Sequence, residues 1–134
     1  MITAIDSSVL ISILNRETES AAWQRLLTEA AKEGLLVICP VVFAECGTRF
    51  PSLIPFQKAL DLLQISFDPI SEEASYTAGQ IFKRYRQEGG PRQNLIPDFI
   101  VAAHAAHQSN QLATIDRGYF RRYFPYLKIL SPSS

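Results

Sequence analysis

Only two cysteines, one methionine, one tryptophan and two histidines occur in these 134 residues. Two cysteines cannot build a zinc site by themselves. Cys39 and Cys46 both sit in apolar runs and are expected as free, buried thiols. No apolar run reaches the roughly 18 residues that span a bilayer. No basic stretch with a signal-type cleavage site opens the chain, so a cytoplasmic setting is expected. Gly89-Gly90-Pro91 lacks the spacing of a phosphate-cradling loop, and no serine stands in the G-x-S-x-G context of a hydrolase nucleophile. Net charge is absent too: 13 Lys and Arg balance 13 Asp and Glu, without the overall basicity of many nucleic-acid binders.

What is present is a core. A hydrophobic fraction of 47% with 19% charged residues describes a packed globular chain. One domain over residues 1–130 is expected, followed by a loose tail over residues 131–134. The charge is unevenly placed: residues 1–82 carry a balance of −5 and residues 83–134 a balance of +5. The basic set is Lys83, Arg84, Arg86, Arg92, Arg117, Arg121, Arg122 and Lys128. It reads either as ordinary solvated surface or as a phosphate-binding rim, with Arg92 and Arg117 the candidate substrate-binding residues.

Short β-branched runs predict strands over residues 1–5, 35–39, 65–70, 112–115 and 126–130. Helical spacing predicts helices from Val9 to Leu14, Ser20 to Glu33, Val41 to Phe50, Leu53 to Leu63, Ser71 to about Gln87, Pro97 to Gln108, and Arg117 to Tyr123. Ser7 and Ser8 are expected to cap the first helix, Ser71 the fifth, and Gly34 to stop the second. Strands alternating with helices predict an α/β fold with a mainly parallel central sheet covered on both faces.

Against that frame four acids stand out. Asp6 ends the first strand in Ala4-Ile5-Asp6-Ser7-Ser8, and Asp116 ends a later one in Leu112-Ala113-Thr114-Ile115-Asp116. Glu45 lies in Val42-Phe43-Ala44-Glu45-Cys46, and Asp98 in Ile96-Pro97-Asp98-Phe99-Ile100. Ligands of parallel sheets collect outside the carboxyl ends of strands, where Asp6 and Asp116 would sit. Each acid has a simpler reading: Asp98 as an offset to a helix dipole, Asp6 and Asp116 as turn or cap residues, Glu45 on a solvent face. Taken together, they read as carboxylates converging on a divalent metal, since Mg2+ and Mn2+ prefer hard oxygen ligands. His104 and His107 fall on other faces of their helix than Asp98, at about 100° per residue, and are read as structural or surface residues. Tyr119, Phe120, Tyr123, Phe124 and Tyr126 are read as packing for the C-terminal segment.

These four motifs, in this order and over nearly the whole chain, resemble the PIN-domain family, and most of all its VapC-like toxins of type II toxin–antitoxin pairs. The resemblance implies a PIN-like three-layer α/β/α sandwich with Asp6, Glu45, Asp98 and Asp116 as metal-binding catalytic acids. Ser7 or Ser8 would support Asp6, and Thr114 would act near Asp116. It implies Mg2+- or Mn2+-dependent hydrolysis of RNA phosphodiesters leaving a 3′-hydroxyl, a homodimer, and a cognate antitoxin protein that neutralises the enzyme. Many relatives carry another acid just after the fourth motif; Gly118 and Tyr119 stand there here. Two alternatives compete. A non-catalytic PIN-like module would bind RNA or protein without metal-dependent cleavage. A haloacid-dehalogenase-type phosphatase would need an acid two residues after Asp6, where Ser8 stands.

Overall fold

A computed structural model describes residues 1–92, 96–115 and 118–132, with 118–120 as backbone only. The described chain runs β1 (Thr3–Ile5), α1 (Ser7–Leu14), α2 (Ser20–Glu33), β2 (Leu36–Ile38), α3 (Pro40–Gly47), α4 (Leu53–Leu62), β3 (Ile65–Phe67), α5 (Glu72–Gln87), α6 (Pro97–Gln108), β4 (Gln111–Ala113), α7 (Gly118–Tyr123) and β5 (Ile129–Leu130). The strands form one five-stranded sheet in the order β3-β2-β1-β4-β5, and every pairing is parallel. Helices flank the sheet, as the alternation of elements predicts, giving the three-layer α/β/α arrangement.

The strands are short, two or three residues each, and the central ones are the most deeply buried. β1, β2 and β4 are buried at every position. Ala4, Ile5, Leu36, Ile38 and Leu112 fill the sheet, while Val9, Leu10, Val42, Phe99 and Ala102 pack from the helices. β1 lies at the centre, pairing Thr3 with both Leu36 and Gln111. Gln111 donates to the Thr3 hydroxyl at 2.8 Å, a buried link that joins β1 to β4. The chain adds β2 and β3 on one side of β1, then returns to place β4 and β5 on the other. The order therefore reverses between β1 and β4, the crevice position at which parallel sheets bind ligands.

Several local expectations need correction. Ser7 and Ser8 do not cap α1: they lie in its first turn, and the cap is Asp6, whose Oδ1 accepts from the Ser7 N–H. A carboxylate caps about as well as a serine hydroxyl and also offsets the positive helix end. α3 begins at Pro40, one residue early, and ends at Gly47. Pro40 takes the first helical position, where a missing N–H costs nothing. Gly34 does end α2, and the position has no room for a side chain: a Cβ there would meet the Met1 carbonyl oxygen at 1.6 Å. The expected cap Ser71 does accept from the Ala74 N–H, at 3.0 Å.

Candidate metal-binding acidic site

Asp6 follows β1 directly, and its N–H continues the ladder by donating to the Ala113 carbonyl at 2.9 Å. This bond aligns the end of β1 with the end of β4, so the next residue of β4, Thr114, comes beside Asp6. The Thr114 hydroxyl donates to Asp6 Oδ2 at 2.8 Å, and the Ser8 hydroxyl donates to the same oxygen at 3.0 Å. The Ile115 N–H in turn donates to Ser8 Oγ at 3.2 Å, tying the start of the loop after β4 back to α1. Asp6 is only 6% exposed. Burial pushes its carboxyl above the ordinary value; the donors Thr114, Ser8 and Ser7 pull it back, and the charge of Glu45 adds to the rise.

Glu45 reaches this corner from α3. Its residue is exposed, so the apolar neighbours seen in the sequence belong to other faces of the helix. Its carboxylate Oε1 accepts a hydrogen bond from the Ser7 hydroxyl. Ser7 thus touches two acids, with its N–H on Asp6 and its hydroxyl on Glu45. No local pattern announces that second contact, because the partners are 38 positions apart. Ser7 and Ser8, the two residues expected to support Asp6, each donate a hydrogen bond to it.

Asp98 lies in the first turn of α6, half-buried, and α6 packs against the α3 that carries Glu45. Asp116 and Arg117 lie outside the described residues. Arg92 is exposed, and its backbone N–H faces the Tyr85 hydroxyl at 3.4 Å. Among the described residues no group of three or more His, Cys, Asp and Glu side chains is placed to hold a metal ion. Within the expected set, Asp6 and Glu45 are bridged by Ser7.

Other candidates sort by their contacts. His104 is buried and its Nε2 pairs with Asp68 Oδ2 at 2.7 Å, while His107 meets the Thr77 hydroxyl at 2.8 Å. Both serve to join α6 to the segment from β3 to α5. Cys39 and Cys46 are free and buried. Burial pushes the Cys46 thiol up to about 11 and raises that of Cys39, so neither offers a thiolate at neutral pH. The available donors at this corner are hard oxygens, which suit Mg2+ or Mn2+. Of the C-terminal aromatics, Tyr123 and Phe124 are buried as expected, whereas Tyr126 stands almost wholly in solvent. The described residues contain no helix long and apolar enough to cross a membrane.

Solved structures share this architecture. VapBC2 from Rickettsia felis, bound to a DNA fragment from its promoter, superposes with a TM-score of 0.73 at 21% identity, covering 97% of this chain and 98% of that one. VapBC-1 from nontypeable Haemophilus influenzae gives 0.72 at 19% identity with full coverage of both chains. FitAcB from Neisseria gonorrhoeae gives 0.61 at 20% identity, covering 98% of each. The comparison with curated proteins yields no match. At these identities the neighbours establish the fold, and the sequence itself supplies the family: the PIN domain model matches residues 3–124, from the first residue of β1 past the end of α7. With its parallel sheet, its acid at the β1–β4 crevice and that match over most of its length, the chain belongs to the PIN-domain family.

Proposed function

We propose that this chain is a divalent-metal-dependent endoribonuclease, hydrolysing RNA phosphodiester bonds as the toxin of a type II toxin–antitoxin pair. The observation that carries the reading is the buried Asp6 carboxylate at the switch point of the sheet, coupled through Ser7 to Glu45. A carboxylate is rarely taken out of water beside a second one unless a cation is to join them. Asp6 and Glu45 would hold Mg2+ or Mn2+ together with Asp98 and Asp116. When bound, such an ion activates a water and offsets charge on the leaving oxygen. The chain's own residues prepare the place. Thr114 and Ser8 fix the plane of the Asp6 carboxylate, and Ser7 fixes Glu45 relative to it. Arg92 and Arg117 would meet the substrate phosphates.

A further solved structure of this fold is by description a toxin–antitoxin complex from Klebsiella pneumoniae, which supports a cognate antitoxin for this chain. A homodimer and a cytoplasmic site of action belong to the same reading. The test is incubation of purified protein with total cellular RNA in Mn2+, in Mg2+ and in chelator, for wild type and Asp6→Asn. Discrete fragments that require both the metal and Asp6 are expected. Folded wild-type protein that neither cleaves RNA nor gains thermal stability from Mn2+ would return the chain to the class of non-catalytic binding modules.

A further inference from the structure

Away from the acids, the end of α5 meets the end of α7 in a cluster of a different kind. Glu88 caps the C-terminus of α5, an end where a helix dipole disfavours an anion. Its carboxylate is nonetheless held on three sides. Oε1 accepts from Arg122 Nη2 at 3.1 Å and from the Tyr123 hydroxyl at 3.0 Å, and Oε2 lies 3.7 Å from Arg84 Nε. The guanidinium carbons of Arg84 and Arg122 lie 4.7 and 5.4 Å from the centre of the Tyr123 ring. Arg84 also donates to the Arg122 carbonyl at 3.4 Å, which joins the two segments.

The platform beneath is buried. The Tyr123 ring packs edge-on against Phe99 and Tyr85, with centroids 5.4 and 6.2 Å away. Phe99 is fully buried and directly follows Asp98. The charged ends, by contrast, face solvent: the side chains of Arg84 and Arg122 are 47% and 65% exposed, that of Glu88 39%. Glu88 is the only acid between residues 83 and 97, among Lys83, Arg84, Arg86 and Arg92.

Two guanidinium groups and a phenol hydroxyl gathered around one anion are groups that a phosphodiester can also take as partners. We infer that Arg84, Arg122 and Tyr123 form a claw for a backbone phosphate of single-stranded RNA, and that Glu88 occupies it in the free protein. The inference rests on the ribonuclease reading and adds to it a phosphate subsite built on the aromatic platform that adjoins Asp98. Glu88 acts as an internal competitor: a phosphate of the substrate displaces it, and the released carboxylate turns to solvent. A plain surface ion network would instead contribute little and bind nothing.

Binding decides between them. A fluorescently labelled single-stranded RNA 12-mer is titrated with the full chain in chelator, where no metal-dependent cleavage occurs, and anisotropy is read across a salt series. Glu88→Gln is expected to tighten binding several-fold, whereas Glu73→Gln, an exposed acid at the other end of α5, should not. Arg84→Ala with Arg122→Ala is expected to weaken binding about tenfold and lower the salt slope by about 0.7, one phosphate contact. Arg84→Lys with Arg122→Lys keeps the charge but loses the fork, and is expected to restore only part of the affinity. Equal affinity in all variants, an equal gain from Glu73→Gln, or full rescue by lysine overturns the claw. If wild type still cleaves RNA in Mn2+, the ribonuclease reading survives that failure. A wild type that neither binds nor cleaves RNA overturns both. Preference for poly-glutamate over RNA would assign the surface to an acidic protein and overturn the claw as well.

Discussion

The hydroxyl of Ser7 donates to Glu45, whose place in the chain is 38 residues away, while the N–H of Ser7 donates to Asp6 at 2.8 Å. One small residue thereby sets the separation of two carboxylates. Ser7→Ala keeps the backbone contact and frees Glu45 to swing. A metal-dependent site that loses such an outer contact typically loses about 10- to 100-fold in metal affinity or activity. We expect a loss in that range, measured as Mn2+-dependent RNA cleavage and as Mn2+ affinity by calorimetry. Wild-type values for both in a folded variant would show that the Ser7–Glu45 link is dispensable.

Thr114→Val tests the other side of Asp6. Valine matches the shape of threonine and removes the hydroxyl that donates to Asp6 Oδ2. That donor pulls the Asp6 carboxyl down against the effect of burial. Its loss lets the carboxyl rise further, so a larger share is protonated at any given pH. The acid limb of the pH–activity profile should move to higher pH, with the variant losing more at pH 6 than at pH 8. An unshifted limb would mean that Asp6 does not govern it.

Glu88 gives a pH dependence of stability with a definite sign. The Tyr123 hydroxyl, then Arg122, holds its carboxyl below the ordinary value. A carboxyl lowered in the folded state adds stability above its unfolded pKa and surrenders it as pH falls through the folded one. Wild type should melt above Glu88→Gln at pH 7 in low salt, and the gap should close as pH drops below the usual carboxylate range. The gap should be small and should shrink with added salt, since the group is exposed. A gap that widens on acidification would contradict the ion network.

Ser12 sits fully buried in α1, and its hydroxyl has no hydrogen-bond partner among the described residues. An unpaired buried hydroxyl carries a desolvation cost with no return. Ser12→Ala removes it and improves helix propensity, so unfolding free energy should rise by about 1 kcal/mol. Urea denaturation reads this directly; destabilisation instead would place a partner, such as a bound water, on that hydroxyl.

Much of the fold was legible because its signals are local. β1 and β4 announce themselves as short apolar runs closed by polar residues, and Ser71 caps α5 where a hydroxyl precedes two acids. Element order, the parallel class of the sheet and the placement of Asp6 beyond a strand all follow from such runs. Boundaries followed less well. The start of α3 at Pro40 and the capping of α1 by Asp6 depended on competition between adjacent residues for one N-terminal position.

Three things came only with tertiary structure. The order β3-β2-β1-β4-β5 placed β4 beside β1, and so set Thr114 against Asp6 across 108 positions. The packing of α3 against α1 brought Glu45 to Ser7. The approach of α7 to the end of α5 gathered Arg84, Glu88, Arg122 and Tyr123 around one carboxylate. Periodicity encodes which face of an element is buried, and thus that an acid stands at a strand end. Which acid, hydroxyl or guanidinium it meets is a property of strand order and helix packing, and those arise from burial summed over the whole core.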